Sequence, residues 1–347
     1  MRFAAILLVL AGSATAFRAP TTPLHCRSAS PRALVTASAE GLQPGDRVAV
    51  IGASGNVGKL LALRLAESFE VVGVARDPSR VRGFLPEDKV KLVAAELTDP
   101  ASLEKALEGA AACVICTGTT AFPTQAWSKK SSTEGIGSVV LKKLIDDDTP
   151  MTEDPDEQLS AVEIVQRKWQ AMISSLDADA YNTPKNVDEL GTYAILKAWE
   201  AAAGPARKRM VMLSSIGVQR RTTMPFPVLN ACGVLDAKAA GEEAIIKDAK
   251  GAGYSYTIVR PGQLFGGPYD NNYYLGTLFQ LDKDAKTQDV EVGRGDELLG
   301  DTLRSTLAEV TAQAMESGSA LDLDFAVINT KGDSPSIAQV RSRLGAL

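Results

Sequence analysis

From about residue 46 onward, short β-branched runs alternate with amphipathic stretches, a pattern that predicts βαβ units and a parallel sheet. Val48–Ile51 reads as the first strand, and Gly58–Ser68 as a helix with its apolar face at Leu60, Leu61 and Leu65. Val71–Ala75 and Lys91–Ala95 follow as strands, then Ala101–Leu107 as a short helix and Ala112–Cys116 as the fourth strand. Met210–Leu213, Tyr256–Val259 and Phe325–Ile328 complete seven strands. The long connection between the fourth and fifth ends in a helix, Asn186–Ala203, expected to pack through Leu190, Tyr193, Leu196 and Trp199. Before that helix, residues 128–181 form an insertion. Its acidic run Asp146–Glu157 reads as a solvated loop. Its stripe of Val162, Val165, Trp169, Met172, Ile173 and Leu176 has helical spacing and either packs on the domain's own surface or docks a partner. No internal repeat is visible. The expected fold class is α/β: one doubly wound domain over residues 46–347 with a mainly parallel sheet and a small C-terminal substrate lobe from about residue 263.

The first forty residues break the pattern. Arg2 precedes the apolar run Phe3–Leu10, and small residues lead to Ala14-Thr15-Ala16, which fits a signal-peptidase site. The run is too short to span a bilayer as a mature helix. From Phe17 to Ala39 the chain is rich in Ser, Thr, Ala and Pro and carries Arg18, Arg27 and Arg32 without an acid, the composition of an organelle transit peptide. Residues 1–16 and 17–40 together resemble the two-part plastid presequence of algae with secondary plastids, with Phe17 at the junction. That resemblance implies delivery to the chloroplast stroma; plain secretion is the alternative.

Without residues 1–39 the chain keeps 33 basic against 42 acidic residues, a net charge of −9. An acidic chain with no basic run is poorly suited to binding nucleic acid or anionic lipid. The single histidine, His25, belongs to the presequence, so the mature chain has no Ser-His-Asp triad, Cys-His pair or His-ligated metal, and no metal site is expected. Cys113, Cys116 and Cys232 remain, an odd number without regular spacing, which argues against a disulfide framework. Cys113 and Cys116 have Cys-x-x-Cys spacing, but within a strand they point to opposite faces and read as buried thiols. No later apolar run is long enough to cross a membrane.

The chemistry starts at Gly52-Ala53-Ser54-Gly55-Asn56-Val57-Gly58, which follows a strand and opens a helix. Gly52 permits a tight turn, Gly55 lets the backbone approach a pyrophosphate, and Gly58 permits close helix–sheet packing. The amides of the helix N-terminus then face the anion, as in a Rossmann-type dinucleotide site. A glycine-rich turn without a ligand is the bland alternative. At the end of the second strand an acid would accept from a ribose 2′-hydroxyl, whereas a cation would pair with a 2′-phosphate. Arg76 stands there, so NADP(H) is expected over NAD(H); Asp77 either pairs with Arg76 or turns toward the ribose.

The glycine turn, Glu96-Leu97-Thr98-Asp99, Cys116 through Phe122, Asn182-Thr183-Pro184 through Val187-Asp188, Leu213 through Val218 and Gly233 through Lys238 occur in an order that resembles the atypical short-chain dehydrogenase/reductase superfamily. The likeness is to its NmrA-like branch, and most of all to NAD(P)-binding Rossmann proteins of plant chloroplasts. Tyr256 through Gly262 and Gly293 through Asp296 extend it, so that it spans roughly residues 46–127 and 182–335. By this resemblance Glu96 and Leu97 border the adenine, and Thr117 and Gly118 lie under the nicotinamide ribose. Lys238 reaches the ribose hydroxyls, and Pro261 and Gly262 pass near the nicotinamide amide. Lys238 on an exposed helix face, and Ser214-Ser215 as a mere strand end, are the alternatives.

Reduction of a carbonyl needs a proton donor, which the superfamily supplies as a tyrosine four residues before the lysine. Here that residue is Val234. Lys238 and Ser215 are the candidate catalytic residues, with Tyr193, Tyr269, Tyr273 or Tyr274 as substitute acids. Two functions stay open: an NADPH-dependent oxidoreductase on a small plastid metabolite, or a catalytically silent NADP(H)-binding module that senses redox state or tethers a plastid protein complex. The sequence does not specify an oligomeric state.

Overall fold

The computed structural model describes residues 41–129, 135–145, 160–266 and 286–347. The presequence, the acidic run, and Tyr269, Tyr273 and Tyr274 lie outside the described residues. The central sheet holds β1 (Arg47–Ile51), β2 (Glu70–Ala75), β3 (Val90–Ala94), β4 (Ala112–Ile115), β5 (Arg209–Leu213), β6 (Ser255–Pro261), β8 (Asp289–Arg294) and β10 (Leu323–Thr330). Their order is β3-β2-β1-β4-β5-β6-β10-β8, and every pair is parallel except β10 with β8. β7 (Gln263–Phe265) and β9 (Asp301–Leu303) form a separate parallel pair.

The seven strands expected from sequence are all present in the central sheet, and β8 is its addition. It is an antiparallel edge strand that buries Val290 and exposes Glu291. Such short, charge-flanked strands protect a sheet edge and give a weak hydrophobic signal.

Helices cover both faces. On one, α1 (Gly58–Leu65), α8 (Arg304–Glu316) and α9 (Ile337–Gly345) close a core containing Leu61, Leu65, Leu307, Val310, Phe325 and Leu344. On the other, α2 (Pro100–Leu107), α5 (Leu190–Ala203) and α7 (Val234–Ala252) bury Leu103, Ile195, Trp199 and Ile245. Cys113 and Cys116 belong to opposite cores, as strand geometry requires. Burial pushes the Cys116 and Cys232 thiols up to about 12 and raises that of Cys113 further. The thiolate fraction at pH 7–9 is therefore negligible, and native protein should leave all three unlabelled by a thiol reagent that labels them fully after unfolding. Labelling of Cys113 or Cys116 in the native state would refute this.

One expected packing face is wrong. In α5, Leu190 and Tyr193 are exposed, while Gly191, Thr192, Ile195, Leu196 and Trp199 face inward. A π-turn at Lys185–Glu189 precedes the helix and rotates its register, and Gly191 leaves room for Leu97. Within the insertion, α3 (Ile136–Ile145) and α4 (Ala161–Ala178) pack on the domain through Trp127, Val140, Met172, Leu176 and Cys232. Trp169 donates its ring N–H to the Ala231 carbonyl, whereas Val165 is exposed. Most of the stripe therefore serves the chain's own core. A short helix, α6 (Phe226–Leu229), precedes α7. No helix of the described residues is long and apolar enough to cross a membrane.

Candidate cofactor site

Strand order reverses between β1 and β4, the point at which sheets of this kind open a crevice at the carboxyl ends of their strands. Ile51 lies opposite Val74 on one side and Ile115 on the other, so the residues that follow each strand meet above the sheet. Gly52 and Ala53 donate their amides to the Val74 carbonyl at 2.9 and 3.0 Å, and Cys116 donates to Ile51 at 2.9 Å. Gly52 has φ +86°, and a side chain on it would run into Thr117. Gly58 faces the carbonyl of Gly52, which a Cβ would approach to 2.2 Å. The closest approach of Gly58 is thus to the turn itself, which folds back on the first turn of α1.

Gly55 donates to Gly52 and Lys59 donates to Gly55, whereas the amides of Asn56, Val57 and Gly58 have no backbone acceptor among the described residues. No side chain caps α1 either. Ser54, Gly55 and Asn56 are the half-buried lip of this turn, and Val57 and Gly58 are its buried floor.

Across the crevice, the Thr117 hydroxyl is buried and has no hydrogen-bond partner. Next to it, Gly118 is exposed, and a Cβ there would lie 3.2 Å from Lys238 Nζ and 3.3 Å from Asp188 Oδ1. Lys238 is not on an exposed face: it is buried in α7 and donates to Asp188 Oδ1 at 2.8 Å. The second carboxylate oxygen of Asp188 accepts from the Thr119 amide at 3.1 Å and from the Thr119 hydroxyl at 2.8 Å. Asp188 is 2% exposed and belongs to the π-turn. It links Lys238 to the Thr117–Gly118 segment.

Arg76 is exposed at the end of β2, and its Nη1 donates to Asn182 Oδ1 at 3.3 Å. Asp77 caps the 3-10 turn Pro78–Arg80, accepting from the Ser79 amide and hydroxyl at 3.1 and 2.6 Å. Glu96 and Leu97 follow β3; the Glu96 amide donates to Ser102 Oγ at 3.1 Å, and Leu97 leans on Gly191 of α5.

Other expected positions have local structural roles. A Cβ on Gly262 would stand 1.9 Å from the Gly300 carbonyl, and the Gly262 amide donates to Thr302 Oγ1 at 2.8 Å, so packing against β9 requires glycine there. Pro261 accepts from the Ile216 amide at 2.9 Å. Ser214 donates to Glu242 at 2.5 Å, within a buried network in which Glu242 and Asp324 pair with Arg260. Ser215 donates to the Ile216 carbonyl at 3.0 Å.

Val234 is buried in an apolar cluster with Val218, Phe226, Leu235 and Ala239. Tyr193 is exposed on α5, and burial followed by the charge of Glu189 raises its pKa, the wrong direction for a proton donor near neutrality.

The residues present fit a dinucleotide on three observations: uncapped amides at the mouth of α1, an orphaned Thr117 hydroxyl, and glycines where a Cβ would fill the cradle. The turn amides would hold the pyrophosphate, and Thr117, Gly118 and Lys238 would hold the nicotinamide ribose. The fold and this site define an NAD(P)-binding Rossmann protein. The chain belongs to the NAD(P)H-binding family, whose model matches residues 52–317.

Among solved structures, it is similar to a protein described as an NAD-dependent epimerase/dehydratase from Bacillus halodurans, with 20% identity over 86% of this chain and 100% of that one at a TM-score of 0.52. It is also similar to an oxidoreductase from Lactococcus lactis, with 16% identity over 87% of this chain and 96% of that one at a TM-score of 0.51. At these identities the likeness is one of fold. No curated protein matches the sequence significantly.

Sequence reasoning missed Asp188 and Asn182 as site residues. Both stand inside the segment Asn182 through Asp188 that carried the family resemblance, but nothing in their spacing names a partner.

Proposed function

We propose that the chain is an NADP(H)-dependent oxidoreductase of the plastid stroma acting on a small metabolite. The observation that carries the cofactor choice is Arg76, an exposed cation at the end of β2 whose acidic neighbour is engaged by Ser79. When bound, the nicotinamide supplies hydride transfer. The chain's residues bind and orient it: turn amides at the pyrophosphate, Lys238 at the ribose, and Arg76 at the 2′-phosphate. Support for the stroma is the two-part composition of residues 1–40. The test is the destination of a fluorescent protein fused behind that segment in an alga, where secretion would refute it.

Arg76→Ala should weaken NADPH binding between several-fold and about a hundredfold, since a lost charge-assisted pair is worth roughly 1.5–3 kcal/mol. NADH affinity should stay within about twofold, because NADH carries no 2′-phosphate for Arg76 to pair with. Equal affinities of the wild type for NADPH and NADH, measured by fluorescence titration, would sink the assignment.

A second reading, a catalytically silent NADP(H) sensor or scaffold, is favoured by Val234, which puts an apolar cluster where a tyrosine would deliver a proton. An NADPH-consumption screen over quinones, aldehydes and enones separates the two. Turnover lost in Lys238→Ala supports the oxidoreductase. Tight cofactor binding without turnover of any of them supports the sensor.

A further inference from the structure

Asn182 closes the insertion, and Arg76 leans on it at 3.3 Å. The residue is held at the insertion's neck by its side chain and by its backbone. Its Nδ2 donates to the Ser128 carbonyl at 2.7 Å, and its backbone N–H donates to the Trp127 carbonyl at 3.1 Å. Trp127 is fully buried and donates its ring N–H to the Thr120 carbonyl at 3.3 Å, in the same loop as Thr117 and Gly118. With Nδ2 committed to a carbonyl, Oδ1 is the end that faces Arg76, so the neighbours set the amide's orientation.

The chemical type of this partner decides what it does. A long side chain at an exposed position loses rotamer freedom when it grips a ligand, and a preformed contact reduces that loss. A carboxylate would orient Arg76 too, but it would neutralise the guanidinium and repel a phosphate. A carbonyl oxygen orients the group and leaves its full charge for an incoming anion. A second cation stands at the same neck: Lys129 follows Ser128, and its Nζ lies 5.2 Å from the ring centroid of Tyr181, the residue before Asn182.

We propose that Asn182 is a specificity-determining residue, which presents Arg76 to the 2′-phosphate of NADP(H) and makes the neck of the 128–181 insertion part of the cofactor selector. The proposal rests on the reading of Arg76 as the 2′-phosphate cation.

The experiment measures NADPH and NADH affinity for wild type, Arg76→Ala, Asn182→Ala and Asn182→Asp, with a melting curve for each. Asn182→Ala should lose about three- to tenfold in NADPH affinity and leave NADH unchanged, the loss of one modest hydrogen bond. Asn182→Asp should lose more than about tenfold, because its carboxylate captures Arg76 and repels the phosphate. Lowered stability alone does not move a ratio taken within one folded variant. If Asn182→Ala does not fold, the isosteric Asn182→Asp carries the test. Unchanged NADPH/NADH ratios in the folded Asn182 variants, with a lowered ratio in Arg76→Ala, overturn the role of Asn182 and leave the NADP(H) reading standing. A wild type without preference, or an Arg76→Ala variant with the wild-type ratio, overturns both.

Discussion

Gly58→Ala should abolish measurable NADPH binding and lower stability by about 3 kcal/mol, at the upper end of what overpacking costs. The reason is that the added methyl meets backbone. A Cβ at position 58 would lie 2.2 Å from the Gly52 carbonyl oxygen and 2.9 Å from its carbon. No side chain can swing away to relieve that contact, so the turn between β1 and α1 must open. Opening it misplaces Gly52, whose amide is tied to Val74, and separates the uncapped amides at the mouth of α1. Losing two charge-assisted hydrogen bonds of roughly 1.5–3 kcal/mol each removes at least about a hundredfold in affinity. Gly83→Ala is the control, since nothing lies within 4 Å of a Cβ there, and it should stay within about 0.5 kcal/mol of wild type. A urea melt and an NADPH titration check both variants. Wild-type affinity in Gly58→Ala would show that the close approach is not needed to shape the turn.

The turn was legible in the sequence because its requirement is local: three glycines at fixed spacing between a β-branched run and an amphipathic helix describe one backbone path. Arg76 was read in the same local way, as the position that follows β2. The seven parallel strands followed from apolar runs that the sheet buries on both faces. What sequence periodicity could not give was set by contacts between distant segments. The inward face of α5 begins with Gly191 and Thr192, because close approach of Leu97 selects small residues there and leaves Leu190 and Tyr193 exposed. The Asp77 carboxylate accepts from Ser79, a short-range contact set by the 3-10 turn that follows. The link from Lys238 to Asp188 spans fifty positions, from one helix to a π-turn. No local spacing encodes such a pair; only the packing of α7 against that turn creates it.

That pair carries the second large effect. Asp188→Ala should cost about 3–5 kcal/mol, the penalty for leaving a buried charge without its partner. Asp188 is 2% exposed and Lys238 7%, so water does not readily replace the lost carboxylate. The loss is wider than one ion pair, because the Thr119 amide and hydroxyl also lose their acceptor. The segment that carries Thr117 and Gly118 is thereby released, and NADPH affinity should fall with stability.

Two further substitutions separate these effects. Asp188→Asn keeps the size and one carbonyl acceptor, and should fall between wild type and Asp188→Ala. Lys238→Met combined with Asp188→Asn removes both charges. Replacing a buried pair entirely costs far less than breaking it, so the double variant should regain roughly 2 kcal/mol over Asp188→Asn alone. Cofactor affinity should not return with it, since the ribose anchor is gone. The cycle is read from urea midpoints, and affinity from NADPH fluorescence. A double variant no more stable than Asp188→Asn would mean that Asp188 holds the fold chiefly through Thr119. Recovered NADPH affinity without Lys238 would mean that the ribose is held elsewhere.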